Sequence, residues 1–374
     1  MLTYKRKLKL NKAQEQRIES WTGVCRLVYN MGLEIRKEAW KNKQVSVSKF
    51  DLMKQVTQIR DIDWIKDVPA DTLHDSIKRL DKSYMSFFRT YKSGGGFPKF
   101  ATKKKYKSIT FRPSNGDGVW VKQNNIRIPK IGELKMFKDS PIVGKIKLAT
   151  IIKEPTGYFI CIVCDEVSKN ISNPDESQVI GIDMGIANFC TDSNGNFISN
   201  PKHFKKYEDK LRIENRSLSR KKKYSNRWKK QASKLSKLHH AIGNVRKDFL
   251  HKTSTDMAKE YHTIYLEDLN IKGMTKNRNL SKHILDCGWG AFRTMLEYKT
   301  NVIRVNPKFT SQTCNECGTK DSKSRLSQSE YVCSDCGHIS NADINAAKNI
   351  LCKGIALNRK SNPLGYASVE ELIN

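Results

Sequence analysis

The sequence predicts a multidomain fold of mixed α/β plus α+β class, on three observations. Apolar residues recur at helical spacing from Lys12 to Tyr91, short alternating runs fill Ile109 to Val167, and apolar strands alternate with helices beyond Val179. A chain of 374 residues is long enough for two or three domains with sizeable cores.

In chain order, LTYKRKLK reads as an opening strand, and Asn11 is placed to cap a helix beginning at Lys12. Breaks near Val45 and Pro69 divide the helical stretch into three or four helices. No helix should cross GGGFPKF, Gly94 to Phe100. The runs NNIRIPKIGELKM and GKIKLATII, bounded by Gly, Asn and Pro, read as a small antiparallel barrel or sheet. From Pro201 to Lys252 there are 18 Lys and Arg against four acidic residues, with Leu235, Leu238, Ile242, Val245 and Phe249 spaced as one apolar helical seam. That pattern predicts a basic helix over 202–252, either a solvated face or a face along a phosphate backbone.

The 69 Lys and Arg against 38 Asp and Glu leave a net charge of +31, more than solubility requires and best relieved by a polyanion. Nucleic acid is the first expectation. A membrane partner is disfavoured, since no run of ~18 apolar residues appears, and MLTYKRKLKL lacks the apolar stretch of a signal peptide, so a cytoplasmic protein is expected. There the ten cysteines are expected to be reduced, and either bind metal or are buried. Cys161 and Cys164 fall three apart in a strand and so face opposite sides, which argues for core rather than metal. Cys25, Cys190, Cys287 and Cys352 read as buried small hydrophobes.

Cys314-x2-Cys317, fifteen residues, then Cys333-x2-Cys336, with Gly318 and Gly337 after the pairs, is the spacing of a zinc ribbon over 313–338. Four thiolates leave no open coordination position, so one Zn²⁺ there holds shape. Three acidic residues stand apart from it. In VIGIDMGIANF a strand reaches Asp183 between Gly181 and Gly185; TIYLEDLNIKGM ends a strand in Glu267 and Asp268; Asp343 opens the Ala-rich helix after the ribbon. Singly, Asp343 reads as a helix N-cap and Glu267 as a surface residue. Together they form the carboxylate set that two Mg²⁺ ions need for phosphodiester cleavage.

GIDMGIANF, YLEDLNIKGM and the CxxC, CxxC, NADINAAKNI series resemble the three active-site blocks of a RuvC-type nuclease interrupted by a zinc ribbon. GFPKFATKKK, NNIRIPKIGELK and TSQTC extend the likeness over nearly the whole chain. The combination is similar to TnpB, the RNA-guided endonuclease of bacterial insertion sequences and a relative of type V CRISPR effectors. The resemblance implies an RNase H-like RuvC domain (171–312 and 339–374), a β-barrel wedge domain (1–10 and 92–170) and a helical recognition domain (11–91). It makes Asp183, Glu267 and Asp343 the ligands of two catalytic Mg²⁺ ions. Its partners are a guide RNA from the transposon end and double-stranded DNA bearing a short adjacent motif, in a monomeric ribonucleoprotein of a bacterial or archaeal cytoplasm, associated with the nucleoid.

From the charge of the basic run and its place between two carboxylate-bearing strands, Lys221, Lys222, Lys223, Arg227, Lys229 and Lys230 are expected on guide or heteroduplex backbone. The resemblance places Thr72, Ser76, Lys78 and Arg79 near the adjacent DNA motif, while Arg325, in the loop between the two zinc knuckles, is either near the scissile phosphate or on a solvated loop. The chain departs from the family in joining a helix over Trp289 to Lys299 to a strand from Val302 by Thr300 and Asn301 alone, which predicts a lost helix turn or strand edge. Ala187, where lysine is common, is a harmless departure. A guide-directed repressor and a transposase-type DNA-processing protein are the alternatives. The intact carboxylates favour cutting over repression, and the family likeness disfavours transposition.

Overall fold

The computed structural model describes residues 2–113, 118–165 and 174–361 and divides into two compact units, 1–168 and 169–374.

The first unit opens with strand β1 (Leu2–Lys9) and helices α1 (Lys12–Lys43), α2 (Lys49–Gln58), α3 (Asp63–Lys66) and α4 (Ala70–Thr90). Asn11 caps α1 in a capping box: its side chain accepts from Gln14 N at 2.8 Å, and Gln14 Oε1 accepts from Asn11 N at 3.1 Å. Strands β2 (Ser108–Phe111), β3 (Trp120–Lys122), β4 (Asn125–Ile128), β5 (Gly132–Met136), β6 (Lys145–Glu154) and β7 (Gly157–Asp165) follow. With β1 they make one seven-stranded sheet, ordered β2-β6-β7-β1-β5-β4-β3. Among the described residues β2 and β3, at the two ends of this order, are not paired with each other. Helices and strands share one core, in which Ile18, Trp21, Leu73 and Ile77 join Phe111, Ile151 and Ile160. Along β7 burial alternates, placing Cys164 inward and Cys161 on the other face, as strand geometry requires.

The second unit holds β8 (Val179–Met184), β9 (Asn188–Asp192), β10 (Phe197–Ser199), α5 (His203–Ser219), α6 (Asn226–Glu260) and β11 (Thr263–Glu267). After them come α7 (Ile271–Met274), α8 (Arg278–Cys287), α9 (Trp289–Glu297), β12 (Asn301–Val305), the hairpin β13 (Glu330–Val332) and β14 (Ile339–Asn341), and α10 (Ala342–Ser361). The central sheet runs β10-β9-β8-β11-β12, antiparallel through β9 and parallel from β8 to β12. Every residue of β11 is buried, as expected for a central parallel strand.

Three expectations are corrected here. The basic segment is two helices, not one: α5 ends at Ser219, Tyr224 takes a left-handed φ of 69°, and Ser225 caps α6 through Trp228 N at 3.1 Å. Of the apolar seam only Ile242 is fully buried, and Val245 is exposed. The short connection after α9 costs no strand edge. Asn301 to Val305 pair in full register with Thr263 to Glu267, and Thr300 Oγ1 closes the turn on His262 O at 2.7 Å. Cys352, expected to be buried, is exposed on α10. Among the described residues no helix is long and apolar enough to cross a membrane.

Candidate functional site

Parallel pairing carries the carboxylates to one sheet edge. Leu266 lies opposite Ile182, so Glu267 at the end of β11 stands level with Asp183 near the end of β8. Asp343 arrives from α10, which packs on β8 and β11. The capping role falls to Asn341, whose Oδ1 accepts from Asp343 N at 2.9 Å and Ile344 N at 3.3 Å. Asp343 is thereby left in the first turn with its side chain free of capping. Asp183, Glu267 and Asp343 line one cleft of about 330 Å³, together with Thr310, Ser311 and Arg325. Asp268 points elsewhere, pairing with Arg293 at 3.2 Å and Arg304 at 3.3 Å.

The electrostatics of this cleft suit a cation. Burial, then the charges of Glu267 and Asp343, push Asp183 up to about 7 against the pull of Arg325. Burial also raises Glu267, opposed by the Thr310 hydrogen bond and the Lys353 charge, and raises Asp343, opposed by Arg325. Arg325 Nη2 reaches Asp343 Oδ1 at 3.2 Å while also donating to Gln328 O at 3.1 Å. Hard oxygen donors that burial disfavours as free anions are the set Mg²⁺ prefers.

The four cysteines form a second centre. Gly318 and Gly337 adopt left-handed φ of 78° and 73°, so each CxxC closes as a knuckle, with Gly318 N donating to Cys314 O at 3.0 Å and Gly337 N to Cys333 O at 3.2 Å. The Sγ atoms of Cys314 and Cys336 are 3.8 Å apart, those of Cys317 and Cys333 3.6 Å, and all four lie within 4.8 Å of one another. A tetrahedron with Zn–S of ~2.3 Å separates its sulfurs by about 3.8 Å, whereas a disulfide needs ~2.05 Å, so the spacing fits a bound metal. Among the described residues the three carboxylates do not close to this spacing.

The expected nucleic-acid contacts divide. Lys222, Lys223, Arg227, Lys229 and Lys230 are exposed around the α5–α6 turn, while Lys221 is half-buried and donates to Ser217 Oγ at 2.7 Å. Thr72 and Ser76 are each 1% exposed, which leaves them no face for DNA; Ser76 Oγ instead meets Tyr106 OH at 2.9 Å. Arg79 is likewise spent on the fold, reaching Asp75, Ser108 and Thr110 at 2.8 to 3.0 Å. Lys78 is only half-buried. Thr310 in TSQTC and Asn345 and Asn349 in NADINAAKNI carried only family likeness in the sequence, and Lys353 carried nothing; together they knit α10 to the loop beside Glu267. The i, i+4, i+8 spacing of the last three was the available signal.

Fold and site together define a class: multidomain α/β proteins with an acid-lined cleft beside a four-cysteine knuckle. In fold, the chain is similar to the solved Cas12f1–sgRNA–target DNA complex, matched with a TM-score of 0.54 and 15% identity over 90% of this chain and 82% of that one. Family models described as "Probable transposase", "Cas12f1-like, TNB domain" and "Helix-turn-helix domain" match residues 162–278, 289–350 and 1–44. In the structure the last of these is a strand followed by one long helix.

The chain belongs to the TnpB family. It is 33% identical to the "Putative RNA-guided DNA endonuclease InsQ" of Escherichia coli (strain K12), over 95% of this chain and 92% of that protein. A "Putative RNA-guided DNA endonuclease" of Streptomyces pristinaespiralis is 29% identical over 93% of this chain and 90% of its own length.

Proposed function

We propose that this chain is an RNA-guided, Mg²⁺-dependent DNA endonuclease of a transposable element that cuts both strands of a guide-matched duplex at one carboxylate cleft. The observation that carries this reading is the meeting of Asp183, Glu267 and Asp343, from two parallel strand ends and a helix start, in one cleft. The names of two relatives aligned over nine-tenths of this chain support it.

Asp183, Glu267 and Asp343 would hold two Mg²⁺ ions, which when bound stabilise the attacking and leaving oxygens of phosphodiester hydrolysis. Arg325 holds Asp343 at the cleft wall and presents guanidinium N–H groups toward a phosphate seated there. Cys314, Cys317, Cys333 and Cys336 would hold one structural Zn²⁺. The exposed cations of the α5–α6 turn supply backbone attraction to guide or heteroduplex, and base pairing reads the target. In this reading 1–10 and 92–170 serve as the wedge, 11–91 as the recognition domain, and the second unit as an RNase H-like RuvC domain carrying the ribbon. The test is to purify the chain with its co-expressed nucleic acid, sequence that nucleic acid, and challenge the complex with a labelled duplex matching the recovered guide. Recovery of no discrete RNA, or no cutting of the matched duplex, overturns it.

A further inference from the structure

Glu267 is only 9% exposed, and its backbone is held at the end of β11, opposite Val305 of β12 and one residue beyond the Leu266–Ile182 pair with β8, so the direction of its carboxylate depends on what touches it. That contact is Thr310. Its hydroxyl is 2.5 Å from Glu267 Oε1 and 2.8 Å from Pro307 O, and of the two acceptors the ionised carboxylate draws the single proton more strongly. Among the described residues Glu267 Oε2 has no hydrogen-bond partner, which leaves it the oxygen available to a cation in the cleft.

Thr310 is itself 2% exposed and sits in a turn with local bonds of its own, Gln312 N and Thr313 N donating to Phe309 O at 3.2 and 3.1 Å, but with Phe309 at a left-handed φ of 67° that bulky side chains disfavour. One face of α10 holds that turn from outside. Asn349 Nδ2 donates to Thr310 O at 3.0 Å and Thr313 O at 2.6 Å, Asn345 Nδ2 to Thr313 O at 2.8 Å, and Lys353 Nζ to Lys308 O at 2.7 Å. The first turn of the same helix carries Asp343. One helix thus sets Asp343 directly and Glu267 at one remove.

Resting on the carboxylate cleft being the metal site, we propose that Thr310 is the positioning residue for Glu267, and that Asn349 fixes Thr310. Outer hydrogen bonds to a ligating carboxylate orient it, and their loss weakens metal affinity even where the ligands remain. A merely structural role, satisfying buried carbonyls, would affect stability without affecting the metal.

The experiment measures Mn²⁺ binding to the guide-loaded protein by electron paramagnetic resonance, without target and so without turnover. Thr310→Val is expected to raise the half-saturating Mn²⁺ concentration by ~10- to 100-fold, and Thr310→Ser to return it to within about threefold of wild type. Asn349→Leu should give an intermediate rise, and guide-directed duplex binding without added Mg²⁺ or Mn²⁺ should be unchanged in all three. In a Glu267→Gln background, adding Thr310→Val should cost nothing more. If Thr310→Val does not fold, Thr310→Cys, a weaker donor of similar size, carries the same expectation. Wild-type Mn²⁺ binding by Thr310→Val, or an equal added loss in the Glu267→Gln background, overturns the positioning role while leaving the cleft reading intact. Wild-type Mn²⁺ binding by Glu267→Gln overturns the cleft reading itself.

Discussion

Gly354 of α10 lies against the ring of Tyr265 on β11 so closely that a Cβ at residue 354 would stand 2.0 Å from Tyr265 Cδ1. Gly181 of β8 makes a second such approach, where a Cβ would stand 2.3 Å from Ala347 O. These approaches, with Ile350 buried between β11 and β12, seat α10 on the sheet and so bring Asp343 to Asp183. Gly354→Ala and Gly181→Ala should therefore each destabilise the second unit by ~1–3 kcal/mol or more and depress cleavage. Gly243→Ala, on an exposed stretch of α6 with nothing within 4 Å of its Cβ, should instead stabilise by ~0.5–1 kcal/mol. Denaturant melts of the three variants check both signs.

The carboxylates themselves give the next expectation. Asp183→Ala, Glu267→Ala and Asp343→Ala should each abolish cutting of both strands while guide-directed binding survives, because one cleft must serve both strands and affinity comes from pairing and basic surface. A labelled duplex with a matched guide reads both at once. Persistent nicking of either strand by Asp183→Ala would mean that the cleft is not the catalytic site.

How much of this was legible in the sequence depends on how local each determinant is. The zinc knuckles are local: CxxC followed by glycine dictates the turn, and the structure closes both pairs as the spacing requires. Asp183 and Glu267 were legible because apolar strands ended on them, although that they stand level follows only from the β8–β11 register, a long-range fact. The α5–α6 break was hidden because lysine and arginine suit a helix throughout, and only Ser225 marks the new start. Thr72 and Ser76 looked like surface polar residues, yet the partner that buries Ser76 is Tyr106, thirty residues away. The role of Thr310, noticed only within TSQTC, was hidden for the same reason, since its meaning lies in Glu267 and Asn349.

Stability of the metal-free protein should depend on pH through Asp183. Its folded value is raised to about 7, against ~4 in an unfolded chain, so over that interval the folded state keeps a proton that the unfolded state has released. Its share of stability is complete below ~4 and is lost as pH rises through about 7. In zinc-replete buffer without other divalent metal, the Tm advantage of Asp183→Asn over wild type should therefore grow from pH 5 to pH 8, and added Mg²⁺ should reduce it by stabilising wild type. A Tm difference that is flat with pH would place Asp183 outside such a cluster.

Zinc removal should act on one region. Cys314 follows the turn that α10 holds, and Asn315 N donates to Asn345 Oδ1 at 2.9 Å, so chelation or Cys333→Ser should loosen residues 306–341 and lower cleavage with them. Hydrogen exchange should rise there and stay at wild-type levels in 2–113. Full protection and wild-type cutting after loss of the metal would remove the structural role.

The last prediction concerns the exposed turn between α5 and α6. Lys222, Lys223, Arg227, Lys229 and Lys230 are exposed there, and no ion pair engages any of them among the described residues. Apart from Lys223, which lies 5.3 Å over the Tyr224 ring, these clustered cations only repel one another, yet they release counterions on meeting phosphates, so their contribution should appear in the salt dependence of binding rather than in stability. Replacing all five with glutamine should leave Tm nearly unchanged and weaken guide RNA affinity at low salt. The slope of log K against log salt should fall by ~0.7 for each single-strand phosphate that the variant no longer neutralises. Lys221, spent on Ser217, should contribute less when replaced alone than any of the five. Guide affinity measured across a salt series decides the matter: an unchanged slope in the fivefold variant would make this turn an ordinary solvated face and move the RNA path elsewhere on the chain.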